Sequence, residues 1–495
     1  MFLLKIHAND NVAVALKDIN SGEKISFGST EILAGEDIAQ GHKIALTDLE
    51  PGQNVIKYGF PIGHAIQKIT AGQWVHAHNI KTNLGELLEY SYEPNLPEPK
   101  DCQCQSYFQG YRRKNGTVGV RNEIWVIPTV SCVNRTAQLL AEWGNSNVKA
   151  QSNLDGAFAY THPYGCSQLG GDHQATQRIL VALINHPNAG GILVVGLGCE
   201  NNHIGEFKKV LGDYDPERVK FLNAQDVEDE IAAGKELMGE LIRYAGQYQR
   251  EQCPASELVI GLKCGGSDGF SGITANPLLG SLSDQLIACG GSTILSEVPE
   301  MFGAETILMN RARNAEVFAK IVALISDFKA YFMSYNQPVY ENPSPGNKKG
   351  GISTLEEKSL GCTQKGGRAV VTDVLGYGET IQSKGLNLLN GPGNDAVAST
   401  ALAAAGCHMV LFTTGRGTPL GTAVPTIKVA TNSELFRRKP HWMDFNAGEL
   451  LAGTSMEETT GKFFAYILEI ASGRPTKTEE MGFREIAIFK NGVTL

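Results

Sequence analysis

From Tyr111 onward, short apolar runs alternate with longer amphipathic ones, and this alternation limits the fold more than any other feature of the chain. The apolar runs fall at 124–130, 156–161, 191–196, 219–223, 258–262 and 292–298, each followed by a polar loop. Strand, loop and helix repeated in that order predict a parallel sheet with helices on both faces. The ligand crevice of such a sheet lies outside the carboxyl ends of its strands. Cys132, His162, Cys166, Cys199, Glu200, Cys264, Asp268 and Glu300 all fall just after predicted strands. That placement reads them as residues of a site edge rather than of a core.

The C-terminal part continues the pattern. A helix is predicted over 315–331, then a Pro/Gly-rich stretch at 341–347, a strand at 369–374 and a helix from Asp395 capped by Asn394. Strands follow at 407–413 and 426–430. Arg416 stands between Gly415 and Gly417 after a strand, where a guanidinium can grip a carboxylate with two parallel hydrogen bonds. At the other end, the pattern [I/L]-x-x-G-x-x-[I/V] begins at Ile19, Ile38, Leu49 and Ile69. Two apolar anchors around a glycine turn predict short strands in a compact all-β unit. The last copy runs into His76 and His78, which share one face of an extended strand. Residues 89–109 are rich in proline and acidic side chains and lack periodicity, as a linker does. The Cys102-x-Cys104 pair there has no second pair at zinc spacing. The expected plan is a β domain over 1–84, a linker over 85–107, an α/β domain over 108–250 and a C-terminal α/β domain over 256–495. A boundary near 337–350 is the alternative.

Residues 261–277 are the densest in chemistry. Gly265, Gly266, Gly269 and Gly272 let the backbone approach a small molecule closely, and Cys264, Ser267, Asp268, Ser271, Thr274 and Asn276 stand among them. Nucleotide signatures fail. Gly196-x-Gly198 has Asn201 where a dinucleotide fingerprint needs its third glycine, and Gly376-x-Gly378 has Ile381. With no phosphate loop and no G-x-S-x-G elbow, NAD enzymes, kinases and serine hydrolases are set aside. A net charge of −9 without a basic stripe argues against nucleic acid. No apolar run reaches the roughly 18 residues of a membrane span. The start lacks a signal-peptide core, and 10 cysteines in 495 residues are too sparse for a disulfide scaffold. The expectation is a cytoplasmic protein with reduced thiols. A divalent metal held by mixed His, carboxylate and Cys donors fits better than an iron–sulfur cluster, for which no compact C-x-x-C run exists. Acids, bases and a cationic anchor suit proton abstraction beside a carboxylate, with a metal stabilising the enediolate.

Nine runs carry a family resemblance: Tyr58-Gly-x-Pro-Ile-Gly63, Val75-His-Ala-His-Asn79, Gly119-Val-Arg-Asn122, Gly165-Cys-Ser-Gln-Leu169, Gly196-Leu-Gly-Cys-Glu-Asn-Asn202, Cys264-Gly-Gly-Ser-Asp268, Gly272-Ile-Thr-Ala-Asn-Pro277, Glu341-Asn-Pro-Ser-Pro-Gly346 and Ser359-Leu-Gly-Cys362. The chain resembles the altronate/galactarate dehydratase family over its whole length, and its length and closing residues are more similar to the altronate branch. The resemblance implies a SAF (β-clip) domain followed by Rossmann-like α/β domains. It implies loss of water from D-altronate to give 2-dehydro-3-deoxy-D-gluconate in hexuronate catabolism. The implied metal is iron(II), with manganese(II) as the alternative, and a homodimer is compatible with it.

On this reading the expected catalytic residues are His76, His78, His162, Glu200 and Asp268. The expected substrate contacts are Arg416, Ser267, Asn276, Thr274 and Asn201. Cys132, His162, Cys166, Cys264 and Glu300 are the expected metal donors, with the ligand set open. The linker of about 20 residues would let the β domain act as a lid. Three other readings stay open: a dehydratase of galactarate or another sugar acid, a cluster-dependent hydro-lyase, and a sugar-acid sensor without turnover.

Overall fold

The four N-terminal repeats pair with one another. Ile19 bridges to Ile38 and Leu49 to Ile69, both antiparallel, and all four side chains are buried. The repeat glycines Gly22, Gly41, Gly52 and Gly72 have φ of +78°, +83°, +84° and +90°, the left-handed turn that L side chains resist. At Gly72 a Cβ would stand 2.0 Å from the Leu33 carbonyl oxygen, so only glycine fits. The protein, described here by a computed structural model over residues 2–28, 30–85, 90–98, 105–148 and 153–494, therefore begins with an all-β domain. Its strands form the sheet Leu3–Leu4, Val12–Ala15, Lys43–Ala45, Trp74–Val75, the hairpin Lys24–Phe27/Thr30–Leu33 and the sheet Asn54–Lys57, Phe60–Ala65, Ile80–Lys81. Cys102 and Cys104 lie outside the described residues.

Two parallel sheets follow. The first runs in the order Gly156–Ala159, Glu123–Pro128, Ala189–Gly196, Val219–Asn223. Helices Asn134–Val148 and Glu230–Ala245 cover one face through Leu140, Met238 and Leu241. Helix Gly170–Ile184 covers the other and shares its core with Leu402, Ala404 and Val410 of the last domain, so the two α/β units are joined by apolar packing. An antiparallel ribbon of Val118–Gly119, Tyr107–Arg112 and Glu251–Pro254 also connects them.

The second sheet has seven strands in the order Val371–Leu375, Gly385–Leu389, Ser292–Leu295, Val259–Cys264, Met409–Thr414, Thr426–Ala430, Phe445–Asn446, all parallel. The predicted strands are present, with ends displaced by a few residues. Gly385–Leu389 was not anticipated, because a short apolar run buried throughout has no period to betray it. Among the described residues no helix is long and apolar enough to cross a membrane. Cys289 is disulfide-bonded, which corrects the expectation that every thiol is reduced. Seven other described cysteines are free.

Candidate functional site

The seven-stranded sheet reverses its winding at Val259–Cys264. The next strand in the chain, Ser292–Leu295, lies on one side of it, and Met409–Thr414 lies on the other. A crevice opens at the carboxyl ends of strands where winding reverses. Cys264 closes the central strand there, with its Sγ 3.0 Å from Glu300 Oε2 and 3.4 Å from Cys362 Sγ. These three buried donors lie within 4.8 Å of one another, and no other such group of His, Cys, Asp or Glu occurs among the described residues. Glu300 comes from the turn Val298–Glu300. Cys362 ends the helix Leu355–Cys362, which is buried throughout and capped by Thr354 accepting from Glu357 N.

Buried charge surrounds the donors. Lys365 Nζ is 2.9 Å from Cys264 Sγ, 3.3 Å from Glu297 and 3.4 Å from Glu300. Lys358 Nζ bonds Glu300 and Asn342, both at 2.9 Å. Glu297 accepts from Lys263 Nζ at 2.9 Å and from Cys264 N at 2.9 Å. Its φ of +70° is strained for a non-glycine residue, and such strain gathers at functional sites. Burial and the charge of Glu300 push the Glu297 carboxyl up, whereas Lys358 and Lys365 overcome burial and hold Glu300 well below the usual carboxylate range. Burial works against the charge of Lys263, but Glu297 and Asp395 raise it to about 12. Two thiols and a carboxylate fit a divalent transition metal, since thiolate favours soft ions and carboxylate tolerates harder ones. Lys365 Nζ donates to Cys264 Sγ, so one of the two thiols already has a cationic neighbour.

A cavity of about 350 Å³ opens onto this cluster, lined among others by Cys264, Gly265, Gly266, Glu300, Lys358 and Asp395. That is the size of a small-molecule pocket. Behind it a void of about 10 Å³ is bordered by Tyr58, Asp268, Asn276, Glu357, Lys358 and Cys362. Tyr58 comes from the β domain, so that domain forms part of the wall.

The contact between the β domain and the helix Leu355–Cys362 is ionic at its centre. Glu357 accepts from Lys43 and Lys57, each at 2.8 Å and each pair fully buried. Lys43 also reaches Gly351 O at 2.8 Å and Ser353 Oγ at 2.6 Å. Burial wins over attraction at Lys43 and lowers it to about 8, whereas Glu357 outweighs burial at Lys57 and holds it up. Both lysines hold Glu357 down at about 2 against burial. Backbones meet closely beside this contact: a Cβ on Gly269 would stand 1.9 Å from Gly41 O, and one on Gly351 2.4 Å from the same atom.

The structure separates the expected site residues. Cys264 and Glu300 join in the donor cluster. Ser267, Asp268 and Asn276 border the void, and the side chains of Asp268 and Asn276 are engaged within the protein. Asp268 accepts from Ser271, Thr431, Asn432 and Phe270 N. Asn276 spans Gly361 O and Thr413, and Thr274 Oγ1 donates to Phe270 O and Thr431 O. Arg416 is exposed, with its backbone N bonded to Gly266 O.

Cys132, His162, Cys166, Glu200 and Asn201 lie instead at the carboxyl edge of the other, four-stranded sheet. His162 uses both ring nitrogens, on Pro128 O and Tyr164 N, and burial lowers it to about 4. Glu200 accepts from Thr129 Oγ1, Leu197 N and Gly198 N. His76 meets the last domain through Ser353 Oγ at 3.1 Å and stacks on Trp74. Burial, reinforced by Lys43, lowers it to about 4. His78 is exposed.

Sequence reasoning missed Lys43, Lys57, Glu297, Glu357, Lys358 and Lys365 as site residues. Cys362 and Tyr58 stood within quoted motifs without being assigned a role.

Family models match nearly the whole chain: the altronate/galactarate dehydratase SAF domain over 1–83, the D-galactarate dehydratase/altronate hydrolase second domain over 110–246, and the D-galactarate/altronate dehydratase C-terminal domain over 255–494. An altronate dehydratase of Bacillus subtilis is 57% identical, covering 99% of each chain. One of Escherichia coli is 54% identical, covering 100% of each. A galactarate dehydratase (L-threo-forming) of Escherichia coli is 35% identical, covering 99% of this chain and 96% of its own.

Proposed function

The chain belongs to the altronate/galactarate dehydratase family, and on that premise we propose that it is an altronate dehydratase, a hydro-lyase that forms 2-dehydro-3-deoxy-D-gluconate from D-altronate. The observation that carries the substrate is identity above 50% to two altronate dehydratases over essentially the full chain, against 35% to the galactarate enzyme.

Cys264, Glu300 and Cys362 would hold the divalent metal, iron(II) in this reading. When bound, it supplies a positive charge that stabilises the enediolate formed next to the substrate carboxylate. Lys358 and Lys365 add fixed cationic charge at the same place, which favours binding of a carboxylate and of the dianion that develops from it. Asp395 lines the cavity with its side chain 38% exposed, and Lys263 Nζ donates to its Oδ1 at 2.8 Å. In this reading Asp395 takes the C2 proton and returns it to the C3 hydroxyl, which leaves as water. The enol then tautomerises to the 2-keto acid. Tyr58 and the backbone contacts of Gly41 keep the β domain against the pocket wall and limit the entry of water.

Anaerobic turnover of D-altronate by chelator-treated protein, before and after iron(II) is restored, tests the reading, with galactarate and glucarate in parallel. Iron-restored formation of a 2-keto-3-deoxy acid from altronate is expected. Turnover of galactarate alone would change the substrate, and tight binding of a sugar acid without product would make the protein a sensor. Asp395→Asn is expected to lower kcat by about 10²–10⁴, the range for loss of a general base, with metal content unchanged.

A further inference from the structure

Five of the eleven buried side-chain polar atoms without a partner among the described residues follow the strands of one sheet. Asn134 Oδ1, Gln168 Nε2, His173 Nε2, Asn202 Oδ1 and Asn223 Oδ1 all lie at the carboxyl edge of the four-stranded sheet. Gln168 and Asn202 are at most 2% exposed, so water does not account for them freely. The same edge carries three exposed free thiols, Cys132, Cys166 and Cys199. Each follows one of three neighbouring strands, Glu123–Pro128, Gly156–Ala159 and Ala189–Gly196.

The loops that bear them are tied into one rim. Ser131 N donates to Tyr164 O at 2.9 Å, Asn202 N to Gly165 O at 3.1 Å, Asn202 Nδ2 to Thr129 O at 3.0 Å and Ser167 N to Asn201 Oδ1 at 3.0 Å. A Cβ on Gly165 would stand 2.0 Å from Thr129 O, which shows how closely the first two loops approach. His162 and Glu200 spend their polar atoms stiffening the same loops. This rim is built with care for residues outside the reaction site.

We propose that Cys132, Cys166 and Cys199 hold an iron–sulfur cluster, a second metal centre separate from Cys264, Glu300 and Cys362. The cross-loop hydrogen bonds join residues beside Cys132, Cys166 and Cys199, so the three thiols stand on one rim. Their sulfurs are not all within 4.8 Å of one another. A single tetrahedral ion with metal–sulfur bonds of about 2.3 Å requires closer sulfurs than that. A cluster places several irons and bridging sulfides between the thiolates and spans the larger gap. The missing C-x-x-C run is thereby supplied by strand pairing rather than by sequence spacing. Gln225 Nε2 already donates toward Cys199 Sγ at 3.6 Å, the kind of N–H···S contact that tunes a cluster's potential. Loading transfers a pre-assembled cluster from the thiolates of a carrier protein: three Fe–S bonds to the carrier break, three form to Cys132, Cys166 and Cys199, and the protons these thiols release pass to the freed carrier thiolates, with no net oxidation.

The test is anaerobic purification of the full chain from iron-supplemented cells, followed by iron and acid-labile sulfide assays, visible absorption, and EPR after reduction. The expected result is labile sulfide in stoichiometric amount and a broad visible band, both lost in C132S, C166S and C199S. Both are expected to survive in C362S, which removes a donor of the other site. Because the three thiols are exposed, serine should leave the variants folded, with the circular dichroism of the wild type; should one variant unfold, the other two decide. Absence of sulfide from the wild type, its retention in the triple variant, or zinc bound by these cysteines without sulfide would overturn the proposal. None of these readouts depends on turnover, so failure here leaves the dehydratase reading standing.

Discussion

At the scale of single residues, position after a strand singled out Cys264 and Glu300, which the structure brings into contact, together with residues that it ties into loops. His162, Glu200 and Asp268 carry the side chains of acid–base chemistry, yet each is occupied by two or more hydrogen bonds that hold a loop. A buried polar group must be satisfied, and here neighbours within the protein satisfy each of the three. Cys362→Ser removes one of the three clustered donors. Metal analysis of the purified variant is expected to show loss of the bound ion, with activity reduced at least as far as by changes around the donors. Glu297 bonds Cys264 N and Lys365, so Glu297→Gln is expected to cost about 10–100-fold in metal affinity or activity, as partners of metal ligands commonly do. Undiminished affinity in a competition titration would place the metal elsewhere.

At the scale of elements, the glycines divide into those with room and those without. Gly461 lies in the helix Met456–Ala471 with nothing within 4 Å of an added Cβ. Gly461→Ala is expected to stabilise by about 0.5–1 kcal/mol, because alanine loses less backbone entropy in a helix. Gly269→Ala would drive a methyl group into Gly41 O, across the contact between the glycine-rich loop and the β domain. It is expected to destabilise by about 1–3 kcal/mol and to lower turnover, because the pocket wall must move. Thermal melts and steady-state rates of the two variants decide this; equal melting temperatures would refute it. The strand-like runs and the repeat were readable because their periods are local. The run at 385–389 and the helix Leu355–Cys362, buried on all sides, have no polar face to mark a period.

At the scale of the whole molecule, the β domain is held by a buried charge cluster that acid dissolves. Glu357 titrates near 2 when folded, below its ordinary 4.5, so it contributes stability above about pH 4.5 that is lost as pH falls through 2. His76, lowered from 6.5 to about 4, acts in the same direction: the unfolded chain takes its proton first, and stability falls as pH drops from 6.5 through 4. Denaturant unfolding between pH 7 and 3 is expected to show progressive loss of stability, steepest below 4.5. Glu357→Gln leaves two buried lysines without their carboxylate and is expected to cost about 3–5 kcal/mol, the usual penalty for breaking a buried pair. A variant as stable as the wild type at pH 7 would show that the pair carries no weight.

The sequence by itself determined the kinds of layers: a small β domain from a repeat with turn glycines, parallel α/β sheet from strand–loop–helix order, and chemistry at strand ends. Those are consequences of local spacing and backbone sterics. Only the tertiary structure decided which strand ends share a sheet, and so divided one expected site into two edges. It also decided that Cys362, on a helix, meets Cys264 and Glu300, and that Lys43 and Lys57 of the β domain meet Glu357. Such meetings depend on pairing between distant segments, and no local period records which partner a strand or helix will find.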